Sequence, residues 1–447
     1  MGHLEYKLIE ICLQFQYQLI KTSIEFIKTL STLFIMISLR AVIALILLPL
    51  NLLFVLIKYP FFGGVNPIYK NDLVNSLKLT VYQALINFPL DDVHIFSIIS
   101  AEFVINKAVG KLYPGLTSKL PNYGKKFDKQ SFWLVEKPNR KPDDPVLIYL
   151  HGGGYFLGLV PQQIESLVTT YHLLDPVKRE NLSILVLDYN LTCQGYPIPH
   201  QLSQLVETYT NLVKEGGKNF LLMGDSAGGN LAITFTQYLR LSNSSNLPYP
   251  KSSILISPWV KLIAETYQNT PGHSYYNYSS GDVTQYDTLS GAEVYQHILG
   301  TETKLNSLTV SPGNCPYDSK DWQDIPTYNQ PGHSVFVLAG EHETFRDDIL
   351  EWSKYALNYP LDELDFQDSN GEFNPKVHKY IRNDENSAYI DVTIVPWGAH
   401  DFLFFEHTLI GKLKSEPSLK LQSINKRKYF GTTSVVNFLN TVLPGEN

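Results

Sequence analysis

Apolar and polar positions alternate in three different rhythms along this chain. Between residues 7 and 28 the rhythm is helical. Lys7, Glu10, Gln14, Gln18, Lys21, Glu25 and Lys28 recur every three or four positions, while Leu8, Ile9, Cys12, Phe15, Leu19, Ile20, Ile24 and Ile27 fill the opposite face. That spacing predicts an amphipathic helix that lies in a membrane surface or packs on a globular domain. The rhythm then stops. Thr32–Leu39 is apolar, Arg40 interrupts, and Ala41–Ile57 carries no charge over 17 residues. Such a stretch is at the short end of what spans a bilayer, and it is expected to anchor the chain, with Arg40 reaching to the interface. Pro49 and Asn51 would kink it, which lipid-embedded helices tolerate. It begins too far from Met1 for a cleaved signal peptide. Lys28 and Arg40 on one side balance Lys58 and Lys70 on the other, so charge alone fixes no orientation.

From about residue 59 the rhythm is that of a globular domain. Pro60, Gly63, Gly64 and Pro67 mark the boundary, dividing an N-terminal anchor region (1–58) from the remainder (59–447). A helix is predicted over 72–88 and a strand over 131–137, followed by the turn-rich "KPNRKPDD". Short apolar runs follow at 145–150, 183–189, 219–224, 252–257, 334–340 and 391–397. They are unbroken rather than alternating, as in strands buried on both faces. Helical patterns lie between most of them, at 162–174, 200–216, 229–242 and 347–357. Alternation of this kind predicts an α/β fold with a mostly parallel central sheet and helices on both faces. Residues 265–329, rich in Tyr, Ser, Gly and Asn, read as an insertion over one end of the sheet.

Composition narrows the partners. The hydrophobic share of 44% is enough for a large core. A net charge of −7 leaves no basic excess to hold a polyanion, so no nucleic acid is expected as a partner. Three cysteines, Cys12, Cys193 and Cys315, are too few for a disulfide framework, although one bridge between Cys193 and Cys315 is open. Asn181, Asn190, Asn243 and Asn277 begin glycosylation sequons, in a number that chance supplies.

The chemistry concentrates at strand ends. Gly224-Asp225-Ser226-Ala227-Gly228 follows one apolar run and opens a helical one. This is the strand–turn–helix setting of a nucleophile elbow, with Gly224 and Gly228 where bulk would clash. "YLHGGGYFLG" follows the strand ending at Leu150. Consecutive glycines there (Gly152, Gly153 and Gly154) are costly in backbone entropy unless their amides must be approached. The Gly153 and Gly154 amides, with that of Ala227, are candidate oxyanion donors. His151 precedes the serine and is assigned to bracing the loop. A later strand ends in "GEHETFRDD" and the last in "GAHDF". His400 is the candidate base, ahead of His378 and His407. Glu343 is the candidate acid, with Glu341 its competitor. Asp347 and Asp348 suit the first turn of the next helix.

Together, "HGGGYFLG", "DYNL…YPIP", "GDSAGGN", "SPW", "GEHETFRDD" and "GAHDF" resemble the hormone-sensitive-lipase-like family of α/β-hydrolases over roughly residues 130–410. That family carries its triad aspartate three positions after a strand-end glycine. Here Glu343 stands three positions after Gly340. The resemblance implies an α/β-hydrolase fold with a cap, here residues 59–125 and 260–325, and an ester hydrolase needing no metal or organic cofactor. A narrower resemblance, carried by the apolar segment, "WQDIP" and "FRDDILEW", is to the steryl acetyl hydrolases of yeast. It implies a single-pass endoplasmic-reticulum protein with a luminal catalytic domain that deacetylates sterol acetates or similar hydrophobic esters beside membrane lipid. Two alternatives share these motifs. One is a broad xenobiotic or acylglycerol esterase like arylacetamide deacetylase. The other is a silent hydrophobic-ligand receptor on the same fold, which the presence of His400 disfavours.

Overall fold

A computed structural model describes residues 37–242, 246–360 and 369–445. The expected amphipathic helix at 7–28, Cys12 and Asn243 lie outside the described residues. The apolar segment forms helix α1, Leu39–Phe62, with Pro49 and Pro60 inside it. Its 24 residues extend about 36 Å. That exceeds the roughly 30 Å hydrocarbon core of a bilayer. Leu39, Ile46, Phe54, Ile57, Phe61 and Phe62 on it are exposed. The larger compact unit of the chain begins at Leu48, within this helix.

That unit is organised by a nine-stranded sheet in the order β1-β2-β4-β3-β5-β6-β7-β9-β8. The strands are β1 Lys126–Asp128, β2 Ser131–Val135, β3 Val146–Leu150, β4 Ser183–Leu187, β5 Phe220–Asp225, β6 Ser252–Ile256, β7 Ser334–Gly340, β8 Lys379–Arg382 and β9 Tyr389–Val395. From β4 to β9 the pairing is parallel, and the edge pairings β1 with β2, β2 with β4 and β8 with β9 are antiparallel. The crossover from β3 to β4, which lie side by side, carries the helix Pro161–Leu173. Every residue of β2 to β7 is buried, which is why these strands show no polar alternation in sequence.

Helices cover both faces. The helices used below are α2 (Leu73–Ile86), α3 (Pro161–Leu173), α4 (His200–Lys214), α5 (Ala227–Leu241), α6 (Arg346–Leu357) and α7 (Phe430–Val442). Leu147, Tyr149, Leu221, Met223, Ile254, Phe336 and Leu338 share one core with Ile164 and Leu167 of α3 and Val435 and Leu439 of α7. Side chains alternate across a strand, so Ile148, Phe220 and Leu222 face the other way. There Phe220 meets Tyr209 of α4 at 4.5 Å, and Tyr209 meets Phe235 of α5 at 4.8 Å.

The fold is that of an α/β-hydrolase. The predicted buried strands and the four interleaved helices are present, with ends shifted by a residue or two. The edge strands β1 and β8 and the C-terminal helix α7 were not read from the sequence. The inserted region contains short helices, Ser274–Tyr278, Tyr286–Ser290 and Ala292–Leu299. Cys193 and Cys315 are both free thiols, so the open bridge between them is not made.

Candidate active site

The register of the sheet brings the chemistry to one edge. Leu150 of β3 lies beside Gly224 of β5, Asp225 beside Ile256 of β6, and Ile256 beside Leu338 of β7. Each strand therefore releases its loop at the same level. Ser226 follows β5 directly with φ 49° and ψ −115° and serves as N-cap of α5. A non-glycine residue holds positive φ only where its surroundings over-determine it. Here its N–H donates to Ile256 O (2.9 Å) and its carbonyl accepts from Trp259 N (2.9 Å). The flanking glycines are steric necessities. A Cβ at Gly228 would sit 1.9 Å from Leu150 O, and one at Gly224 would sit 2.3 Å from Gly228 O.

His400 lies beyond β9, and its Nε2 is 3.0 Å from Ser226 Oγ. The imidazole is buried, which lowers its pKa to about 3, so it is neutral in the resting site. Glu343 lies just beyond β7 and is wholly buried. Its Oε2 accepts from Ser257 Oγ (2.6 Å) and from Gly340 N (2.8 Å). Burial, and then the charge of Asp282, push its pKa up to about 8. Among the described residues, His400 Nδ1 and Glu343 Oε1 are buried without a hydrogen-bond partner. Neither atom is engaged elsewhere in the resting site.

The competing acid, Glu341, is committed elsewhere. Its carboxylate accepts from Ser369 N (2.7 Å), Ser369 Oγ (2.7 Å) and Trp397 N (2.6 Å), with His378 Nε2 at 3.7 Å. Burial alone would raise its pKa, but His378 and these donors bring it down to about 2. Asp347 binds Arg346 and Asp348 accepts from Gln268, both in the first turn of α6.

The glycine loop after β3 is held by Asp225. Its Oδ2 accepts from Gly152 N (2.8 Å) and Gln163 Nε2 (3.0 Å), and its Oδ1 accepts from the Tyr149 hydroxyl. Gly153 and Gly154 have φ of 110° and 62°. His151 stacks on Tyr189 at 4.1 Å, its Nδ1 is 2.7 Å from Gly152 O, and burial lowers its pKa to about 4. It packs the loop from behind. Ala227 is the first residue of α5, so its N–H is one of the unpaired donors at that helix start.

A cavity of about 70 Å³ opens beside Ser226 and His400. Gly152 and Gly153 form one wall. Tyr82, Leu85 and Ile86 of α2, Val283 of the insertion, and Leu157, Val160, Phe404 and Phe405 make the rest mostly apolar.

Three further residues were not assigned from sequence. Ser257, within "SPW", donates to Glu343 and accepts from Asp401 N (3.2 Å). Asp282 accepts from His400 N at 2.7 Å. Asp401 sits on the cavity wall at φ 53°, with Oδ2 3.4 Å from His400 Nε2. Burial and then Asp225, Glu343 and Asp282 raise its pKa far above the ordinary value. Its position beside His400 was the one available signal.

A serine, an imidazole and a carboxylate gathered at the carboxyl edge of an α/β-hydrolase sheet fit the class of carboxylic-ester hydrolases. Comparison with known proteins sharpens the class. The steryl acetyl hydrolase family model matches residues 83–370, and the chain belongs to that family. It is 32% identical over 338 residues to mug81 of Schizosaccharomyces pombe, a candidate steryl acetyl hydrolase, covering 72% of this chain and 85% of that one. It is 40% identical over 122 residues to steryl acetyl hydrolase 1 of Saccharomyces cerevisiae, covering 26% and 27% respectively. Among solved structures, an esterase of the bacterial hormone-sensitive lipase family aligns with a TM-score of 0.47 and 19% identity, over 82% of this chain and 98% of that one.

Proposed function

We propose that this protein is a membrane-anchored serine esterase that removes acetyl groups from sterol acetates or similar hydrophobic esters. The observation that carries the reading is the 3.0 Å approach of His400 Nε2 to Ser226 Oγ at the elbow. In this reading Nε2 takes the serine proton as Oγ attacks the ester carbonyl. The amides of Gly153, Gly154 and Ala227 receive the oxyanion, each worth about 3 kcal/mol of barrier. Nε2 then protonates the leaving alcohol, and water repeats the sequence on the acyl-enzyme. His400 Nδ1 and Glu343 Oε1 share no hydrogen bond in the resting site, and in this reading Glu343 closes on Nδ1–H and stabilises the imidazolium as it forms. Asp225 keeps the glycine loop in place.

The size and lining of the cavity support a short acyl group next to Ser226, with the body of a large alcohol directed outward. The names of the yeast relatives support sterol acetates as that ester. The length and exposure of α1 support an anchor that keeps the domain beside lipid-dissolved substrate. We place the domain in the lumen of the endoplasmic reticulum.

The test is hydrolysis of p-nitrophenyl acetate and of a sterol acetate by the detergent-solubilised chain beside Ser226→Ala. Turnover of both by the wild type alone supports the reading. Turnover of the small ester alone turns it toward a broad esterase. Silence on all esters with tight binding of a hydrophobic ligand turns it toward a receptor.

A further inference from the structure

We propose that Asp282 is a positioning residue for the triad, through which the inserted region sets the backbone of both the base and the acid. The proposal rests on the triad reading above. Asp282 lies between the insertion's short helices and is fully buried. Its Oδ1 accepts from His400 N at 2.7 Å. Its Oδ2 accepts from Thr344 N at 2.7 Å and Thr344 Oγ1 at 3.1 Å. Thr344 is the residue after Glu343. One carboxylate therefore spans the loop that carries the base and the turn that carries the acid.

The need for such a strut follows from the sheet. Ladder pairing of β7 with β9 ends at Gly340 and Val395. Beyond that level His342 N donates to Gly398 O at 2.9 Å, and among the described residues no ladder pairing continues on to fix Glu343 and Thr344 against His400. A buried N–H must still find an acceptor. A carbonyl or hydroxyl could satisfy one of them, but two oxygens on one planar group satisfy both and fix their separation. Bonds to an ionised acceptor are also the stronger kind.

The strut is itself held from the N-terminal side. Asp282 O accepts from Gln83 Nε2 of α2 at 2.7 Å, and Gly281 O accepts from Asn66 Nδ2 at 2.9 Å. Asn66 lies four residues beyond the end of α1. A hydrogen-bonded path thus runs from the segment after the apolar helix, through the insertion, to His400 N. The two cap segments do more than wall the cavity, because they meet at the residue that aligns the base.

The experiment compares full-length wild type, Asp282→Asn, Thr344→Val and Ser226→Ala in detergent. It measures kcat and KM for p-nitrophenyl acetate, the rate of serine labelling by a fluorophosphonate, and Tm. Asn puts an NH2 group against one of two N–H donors, so one loop must shift. A misplacement on the order of 1 Å costs about 100-fold in rate. Asp282→Asn is expected to lose about 30- to 100-fold in kcat and in labelling rate, with KM within threefold. Thr344→Val, which removes the hydroxyl donor to Asp282 and its contact with Thr284 Oγ1 but keeps the backbone donor, is expected to lose several-fold in kcat. A folded Asp282→Asn protein with kcat and labelling within threefold of wild type overturns the proposal. If that variant does not fold, unchanged kcat in Thr344→Val overturns it. Retained activity in Ser226→Ala instead sinks the triad reading itself.

Discussion

At the scale of the residue, two glutamates two positions apart have opposite fates. Glu341 receives three close donors and a nearby imidazole, so its charge is stabilised. Glu343 receives two donors on one oxygen and faces Asp282, so its charge is resisted. Glu341→Gln is therefore expected to lower stability by about 2–3 kcal/mol at neutral pH while leaving kcat within a few-fold. The sign follows from a folded pKa of about 2 against the ordinary 4.5. The contribution is complete above 4.5 and fades as pH falls through 2, which denaturant melts at pH 7 and pH 3 will reveal. For Glu343 the shift is upward, to about 8. Its ionised form, needed to hold the imidazolium, accumulates only as pH rises through that value. The rate kcat/KM is expected to climb across pH 7–9, and Glu343→Gln to remove that rise with a loss on the order of 10³-fold. His400, at about 3, imposes no acid limb in that range.

At the scale of the element, the strand–turn–helix at Ser226 is rigid because close backbone approach leaves its flanks no side-chain volume. The glycine loop after β3 depends on conformation instead. Gly153 holds φ 110°, and a Cβ there would come within 2.8 Å of Leu157 O. Gly153→Ala is expected to lower kcat about 100-fold with little change in KM, since the loop must move its amides. The effect should be read beside Tm, because the loop is mostly buried and the strained alanine also costs stability. The central strands were legible because they are buried on both faces and so are uniformly apolar. Edge strands β1 and β8 were not. They are three and four residues long and partly exposed, so neither period nor composition marks them.

At the scale of the whole molecule, the proposed anchor and the proposed compartment make linked predictions. Membranes carrying the chain should retain it through an alkaline carbonate wash. If the domain is luminal, one sequon among the described residues, that of Asn277, has the geometry to be used. Asn277 is exposed on its short helix. Asn190 is half-buried, with its Nδ2 near His200 Nε2, and Asn181 accepts from Lys137. Endoglycosidase treatment is therefore expected to shift the wild-type band further than that of Asn277→Gln. No shift in either would place the domain on the other side or leave Asn277 unused. The cavity predicts a steep preference for acyl length, with acetate esters hydrolysed faster than octanoate esters of the same alcohol.

The residues proposed to react are legible in the chain itself because their requirements are local. A serine elbow needs glycines at fixed offsets, and an oxyanion loop needs accessible amides. A parallel sheet needs unbroken apolar runs separated by helices. These constraints act over a few residues and leave a pattern along the chain. What aligns the reacting groups is different. Ser226 and His400 meet across 174 positions, and Asp282 reaches His400 across 118. Such contacts arise from strand register and from loops that end at a common level. The serine and the histidine therefore stand out in the sequence, two glutamates compete in it, and Ser257, Asp282 and Asp401 pass unmarked. A buried carboxylate that accepts backbone N–H groups requires only one acidic residue at the right place in space. Nothing in its neighbours along the chain records that place.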